Sequence, residues 1–104
     1  MTGEKEEVMA QFFRALAHPL RLKIIEFLRG GERCVCEIVP ALGGEQSAIS
    51  KHLGVLRQAG ILTSRKEGTS VFYRLRDPLI WDIYEKAQKA MEGCIQELGE
   101  IIKK

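Results

Sequence analysis

The residues best suited to chemistry in this chain are few, and the densest group is RCVCEI at 33–38, where Cys34 and Cys36 stand one residue apart. Thiolates at that spacing can hold soft metal ions or react with oxidants. A third cysteine, Cys94, lies far along the sequence. Three is an odd number, and a Cys-x-Cys pair does not easily close a relaxed local bridge. Reduced thiols are therefore expected, and a secreted disulfide framework is not. One such pair with scattered His18 and His52 does not supply the four tetrahedral ligands of a zinc finger. His18 stands alone before Pro19 and reads as structural. No catalytic constellation of acid, base and oxyanion groups accompanies the thiols, so a thiol enzyme or metal carrier is the weaker reading and a non-enzyme is expected.

The elements around the pair give it a setting. A short helix is expected over about 35–42, with Val35, Ile38 and Leu42 facing inward. Cys34 and Cys36 then lie at its N-terminus, before unpaired N–H groups whose partial positive charge favours thiolate. Pro40 has no N–H to give the Cys36 carbonyl and crowds it, a residue tolerated only within or near the first turn.

After Gly43 and Gly44, the segment EQSAISKHLGVLRQAG divides cleanly by helical spacing. Ile49, Leu53 and Leu56 form a buried stripe, while Gln46, Ser47, Ser50, Lys51, Gly54, Arg57 and Gln58 fall on the opposite face. Gln and Ser reach base edges, Lys and Arg reach guanine or phosphate, and small residues permit close approach, so this face suits a DNA major groove. His52 belongs to the same helix. The following ILTSRKEGTSVFYRLRD reads as two strands around Glu67, Gly68 and Thr69, a basic hairpin. Its Arg65, Lys66 and Arg74 would meet phosphates or the minor groove beside the helix. Charge agrees: residues 51–76 carry six basic side chains against Glu67 alone, while the remaining chain carries ten basic and thirteen acidic. Such asymmetry marks a polyanion-binding region.

The fold class expected is mainly α with a β-hairpin wing, a winged helix-turn-helix. The 104 residues allow a single domain, with the helix-turn-helix over 35–59 and the wing over 61–76. Helices over 1–17 and 78–104 would serve dimerisation. In the first, Val8, Met9, Phe12, Phe13 and Leu16 form an apolar stripe; a second helix from Pro19 packs Leu20, Ile24, Ile25, Phe27 and Leu28. The last is expected as one long helix, with Ile80, Ile83, Ala87, Met91, Cys94, Leu98 and Ile101 at alternating steps of three and four, widened by Tyr84, Ile95 and Ile102. So apolar a terminal helix needs a partner, and a homodimer would set two recognition helices about one duplex turn apart on a palindromic operator. The apolar runs are far shorter than the roughly 20 residues that cross a bilayer. MTGEKEE has no signal-peptide character, so no membrane partner and a cytoplasmic location are expected.

LAHPLRLKIIEFLRGGERCVCEI followed by QSAISKHLGVLRQAGILTSRKEGTSVFYRL closely resembles the ArsR/SmtB family of metal-sensing repressors, over residues 8 to about 84. CVCE resembles the family's arsenic-sensing box. The resemblance implies a dimer that blocks transcription on its operator and leaves DNA when a soft ion binds. Arsenite or antimonite, As(III) or Sb(III), is the first inducer it suggests, with Cd(II) or Pb(II) as alternatives and no obligatory cofactor. Cys34 and Cys36 would be ligands. The box's third cysteine is replaced by Val39, leaving Cys94 as the candidate third sulfur, from the same chain or across a dimer. The family's other site, on the last helix, is lost: Asp77 aligns with its first ligand, but Leu79, Ala90 and Gly93 take the other places. Redox or sulfur-species sensing on the same fold, with Cys94 as resolving thiol, is the alternative reading.

Overall fold

The computed structural model describes residues 2–103, with side chains described over 3–99. Element order is α1 (Thr2–Leu16), α2 (Pro19–Phe27) with a 3₁₀ turn at Leu28–Gly30, β1 (Arg33–Cys34), α3 (Val35–Leu42), α4 (Gln46–Gln58), β2 (Leu62–Glu67), β3 (Ser70–Leu75), α5 (Leu79–Ala90) and α6 (Glu92–Lys103). The fold is mainly helical with a β-hairpin wing, as the periodicities predict.

Local chemistry explains the boundaries. His18 caps α2: its Nδ1 accepts from the backbone N–H of Leu20 at 3.1 Å. Pro19 occupies the first turn, where a missing N–H costs nothing. The structural reading of His18 is thereby explained. α3 ends at Gly43, whose backbone takes the left-handed conformation that favours glycine at a helix C-terminus. The hairpin closes on a two-residue turn, with Glu67 paired to Ser70 and Gly68 at positive φ.

The core is built from Ile24, Ile25 and Leu28 of the second helix and its turn, Ile38 of α3, Ile49, Leu53 and Leu56 of α4, and Ile61, Leu62, Tyr73 and Leu75 around the hairpin. Fully burying each aliphatic side chain contributes about 1.5–3 kcal/mol, so this cluster fixes α4 against both α2 and the wing.

Three features depart from the sequence expectation. First, residues 33 and 34 form a strand: Arg33 pairs with Tyr73 and Cys34 with Phe72, giving a three-stranded antiparallel sheet in the order β1-β3-β2. Two residues show no alternation to read. Second, α3 runs through Pro40 in its last turns, beyond the first turn expected for a proline; it tolerates one unmade bond at the Cys36 carbonyl because it ends two residues later. Third, the expected single terminal helix is two, broken at Met91, whose backbone leaves the helical region. The Met91 N–H is shared between the Ala87 and Gln88 carbonyls, and Gly93, a poor helix former, follows closely. Met1 and Lys104 lie outside the described residues, as do the side chains of Ile101 and Ile102.

Much of the predicted apolar stripe is uncovered. On α1, Val8 and Phe13 are 64% and 54% exposed; on α5 and α6, Leu79, Met91, Ile95 and Leu98 are each about half exposed or more. Ile80 is buried, and Phe12, Leu16, Trp81 and Tyr84 are partly covered against the core.

Candidate nucleic-acid interface and thiol site

Cys34 is the N-cap of α3, and its extended backbone turns the side chain over the first helical turn. The backbone N–H of Cys36 donates to Cys34 Sγ at 3.1 Å, and the backbone N–H of Cys34 donates to Glu37 Oε1 at 3.1 Å. This is a capping box with sulfur in the place of the usual hydroxyl. Glu37 therefore has a structural task that the sequence reading missed, although an acid three residues after the cap was the available signal. Arg33 lies 3.8 Å from the same carboxylate.

The two thiols are not held apart, contrary to the expectation from spacing. Cys34 and Cys36 are in disulfide contact, with Cα atoms 5.0 Å apart. That separation is inside the range that a bridge spans. The strand-to-helix corner makes this accessible, because the chain changes direction between the two residues. Cys34 is buried and Cys36 exposed. Cys94 is exposed on α6, and among the described residues no three Cys, His, Asp or Glu side chains cluster as a metal site. One chain thus presents two neighbouring sulfurs, and Cys94 does not join them within it.

Both cysteines line a cleft of about 520 Å³ whose walls include Val39 and Pro40 of α3, Gln46 and Ser50 of α4, and Val71 and Tyr73 of β3. The thiol pair and two of the residues singled out for base contact share one depression.

On the outer face of α4, Gln46, Ser47, Ser50, Lys51 and Arg57 are all exposed. Ser47 Oγ donates to Glu45 Oε1 at 2.8 Å, which anchors the start of the helix. His52 departs from this group. It is half-buried, its Nδ1 accepts from Arg21 Nε at 3.1 Å, and its ring lies 4.4 Å from that of His18. Burial, then the nearby charges, holds its pKa below the ordinary histidine value. His52 lies where α4 packs against α2, which carries Arg21, and so belongs to that junction rather than to the outer face.

In the wing, Lys66 and Arg74 are exposed. Arg65 is committed. Its Nε and Nη2 donate to Glu32 Oε2 and Oε1 at 2.9 and 2.8 Å, and its Nη1 donates to Glu67 Oε2 at 2.9 Å. The guanidinium also lies over the Phe72 ring, 4.5 Å from its centroid, a favourable cation–π placement. These bonds hold the Glu32 carboxyl below its usual range and push Arg65 upward. The sequence reading placed Arg65 among free phosphate contacts, but the pairing of β1 with β3 brings Glu32 to it.

Residues 18–64 match the family described as bacterial regulatory protein, arsR family. An uncharacterized HTH-type transcriptional regulator of Methanocaldococcus jannaschii is 43% identical over 77% of this chain and 91% of its own length. The chain belongs to the ArsR/SmtB family. The probable mercury resistance operon repressor of Streptomyces lividans is 39% identical, covering 90% of this chain and 81% of its own. The arsenical resistance operon repressor of Escherichia coli is 47% identical over 62% of this chain and 56% of its own. Among solved structures, the homodimeric winged helix-turn-helix DNA-binding domain of a Mycobacterium bovis protein superposes with a TM-score of 0.80 at 29% identity, covering 86% of this chain and 83% of that one. These ArsR/SmtB relatives are transcriptional regulators rather than enzymes.

Proposed function

We propose that this ArsR/SmtB chain is a DNA-binding transcriptional repressor that acts as a homodimer on a palindromic operator and leaves it when a thiophilic inducer binds Cys34 and Cys36. The observation that carries the reading is the shared cleft: the thiol pair sits against Gln46 and Ser50, the first turns of the helix whose outer face is polar and basic. A ligand bound there alters the surface that meets DNA, and a few kcal/mol of differential affinity between free and DNA-bound forms suffices for release. Gln46, Ser47, Ser50, Lys51 and Arg57 form the reading face; Lys66 and Arg74 hold the phosphates, and Arg65 joins them once freed from its carboxylates. Residues 35–59 are the helix-turn-helix and 61–76 the wing of a single domain. The uncovered stripes within 1–17 and 78–104 support dimerisation, since apolar patches of this kind are rare on monomers.

Trivalent arsenic or antimony leads the inducers, with cadmium or lead behind, because all favour sulfur. A second reading, oxidation, is favoured by the contact between the two sulfurs. There a peroxide or a low-molecular-weight disulfide accepts two electrons and two protons as the thiols join.

Operator binding, followed by fluorescence anisotropy on the DNA upstream of the chain's own operon, tests the proposal. Wild type binds and is released by arsenite. Cys34→Ser with Cys36→Ser still binds and is not released. Release of that double variant by arsenite would refute the thiol assignment.

A further inference from the structure

Resting on the thiol-site reading above, we propose that the pair is built for a trivalent monoorganoarsenical, R–As(III), with its organic group R seated in the cleft, rather than for inorganic arsenite. Trivalent arsenic makes three bonds. Inorganic arsenite therefore calls for three thiolates, and one chain brings two together. The position where a third sulfur would follow, one helical turn beyond Cys36, is Val39, and its side chain lines the same cleft as both cysteines. An arsenic atom held by Cys34 Sγ and Cys36 Sγ has one valence left, in a cleft that Val39 lines together with both cysteines. A carbon substituent there is buried against apolar side chains, which hydroxide or water gains nothing from.

The cleft supplies the rest. Val35, Val39, Pro40, Leu53, Val71 and Tyr73 give it apolar walls, and about 520 Å³ holds a methyl or phenyl group with room to spare, in keeping with the concave, largely apolar character of small-molecule sites. Burying the substituent adds to affinity in proportion to its apolar area, a gain that inorganic arsenite does not share. The pair reacts in its reduced form, which two equivalents of a low-molecular-weight thiol generate from the disulfide while becoming a disulfide themselves; R–As(OH)2 and the two thiols then give R–As(S-Cys)2 and two waters, forming two As–S and two O–H bonds and breaking two As–O and two S–H bonds. Because Gln46 and Ser50 line the same cleft, R is placed beside the recognition helix.

The test titrates the operator complex with phenylarsine oxide, methylarsonous acid, sodium arsenite and mercuric chloride, for wild type, Cys94→Ser and Val39→Cys. Intact-mass measurement and a free-thiol count accompany each arm. The expected result is release by both organoarsenicals at concentrations roughly ten-fold or more below arsenite, a difference of about 1.4 kcal/mol. One R–As adduct per chain and loss of two titratable thiols accompany it, unchanged in Cys94→Ser. Val39→Cys supplies the missing sulfur and moves the preference toward arsenite by a similar factor. Equal or greater potency of arsenite or mercury in wild type overturns the inference while leaving a thiol-controlled repressor standing, as does loss of arsenite response in Cys94→Ser. No release by any of the four probes, with operator binding intact, overturns the thiophilic-inducer reading itself.

Discussion

Two basic surfaces of this molecule look alike in composition and differ in how free their charges are. The outer face of α4 presents Gln46, Ser50, Lys51 and Arg57 without internal commitments, whereas the wing holds Arg65 between Glu32 and Glu67. Counting charges treats the regions as one block. Partners distinguish them: these α4 side chains are free to meet a ligand, whereas Arg65 must first give up existing bonds. Glu32 lies two residues before Cys34 on the segment paired to the wing, so the committed arginine also ties the wing to the thiol corner.

The sharpest way to break the comparison is to remove what holds the first surface in place. Leu53 is fully buried beneath α4, so Leu53→Ala is expected to cost about 2–5 kcal/mol of stability by denaturant unfolding. Lys66→Ala on the wing should stay within about 0.5 kcal/mol. Similar losses at both positions would show that the wing is as structural as the helix.

Next in size is DNA affinity. Gln46→Ala is expected to cost about 1–3 kcal/mol on the cognate operator and to relax discrimination at one base pair. Lys66→Ala should weaken all sequences alike and reduce the slope of log K against log salt by about 0.9. Base-specific loss from the wing substitution would erase the distinction between the two surfaces.

A smaller effect tests the commitment of Arg65 directly. Glu32→Gln removes one of its two carboxylate partners, so operator affinity should rise by a few tenths to about 1 kcal/mol, the usual worth of an exposed pair. The same substitution in an Arg65→Ala background should do nothing. An equal rise in both backgrounds would mean that Glu32 acts by simple repulsion of DNA.

The mildest prediction concerns His52, an α4 residue that, like the wing arginine, is bonded to another element of the fold. Its folded pKa lies below its unfolded value of about 6.5, so the unfolded chain binds more protons in that window. Its stabilising contribution is thus complete above about pH 6.5 and lost as pH falls through the folded pKa. Melting temperatures of wild type and His52→Asn between pH 5 and 8 should show a shallower acid-side slope in the variant. Parallel slopes would assign the titration to a group other than His52.

Much of the architecture is legible in the sequence because periodicity reports burial. Ile49, Leu53 and Leu56 fall at helical steps and are fully buried, and the glycine at 68 marks the hairpin turn where it occurs. The two-residue strand, the break at Met91 and the course of α3 through Pro40 are not legible, because each depends on a few local bonds rather than a repeating pattern. The site divides in the same way. Cys34 and Cys36 announce thiol chemistry by type and spacing, and the resemblance to the arsenic-sensing box marks Val39 as the place of its missing third sulfur.

The sequence by itself determined the order of helices, the inward and outward faces of α4, the excess of positive charge over 51–76 and the presence of a thiol pair at a helix N-terminus. These are properties of neighbours along the chain, set by helical and strand repeats. Only the tertiary structure decided that the pair opens into a cleft shared with Gln46 and Ser50, that Cys94 stands apart from it within one chain, that Arg65 is bound by Glu32 and that His52 bonds to Arg21. Each of those depends on the angle at which two separate elements cross, which is fixed by how the core side chains interlock and leaves no repeat in the sequence.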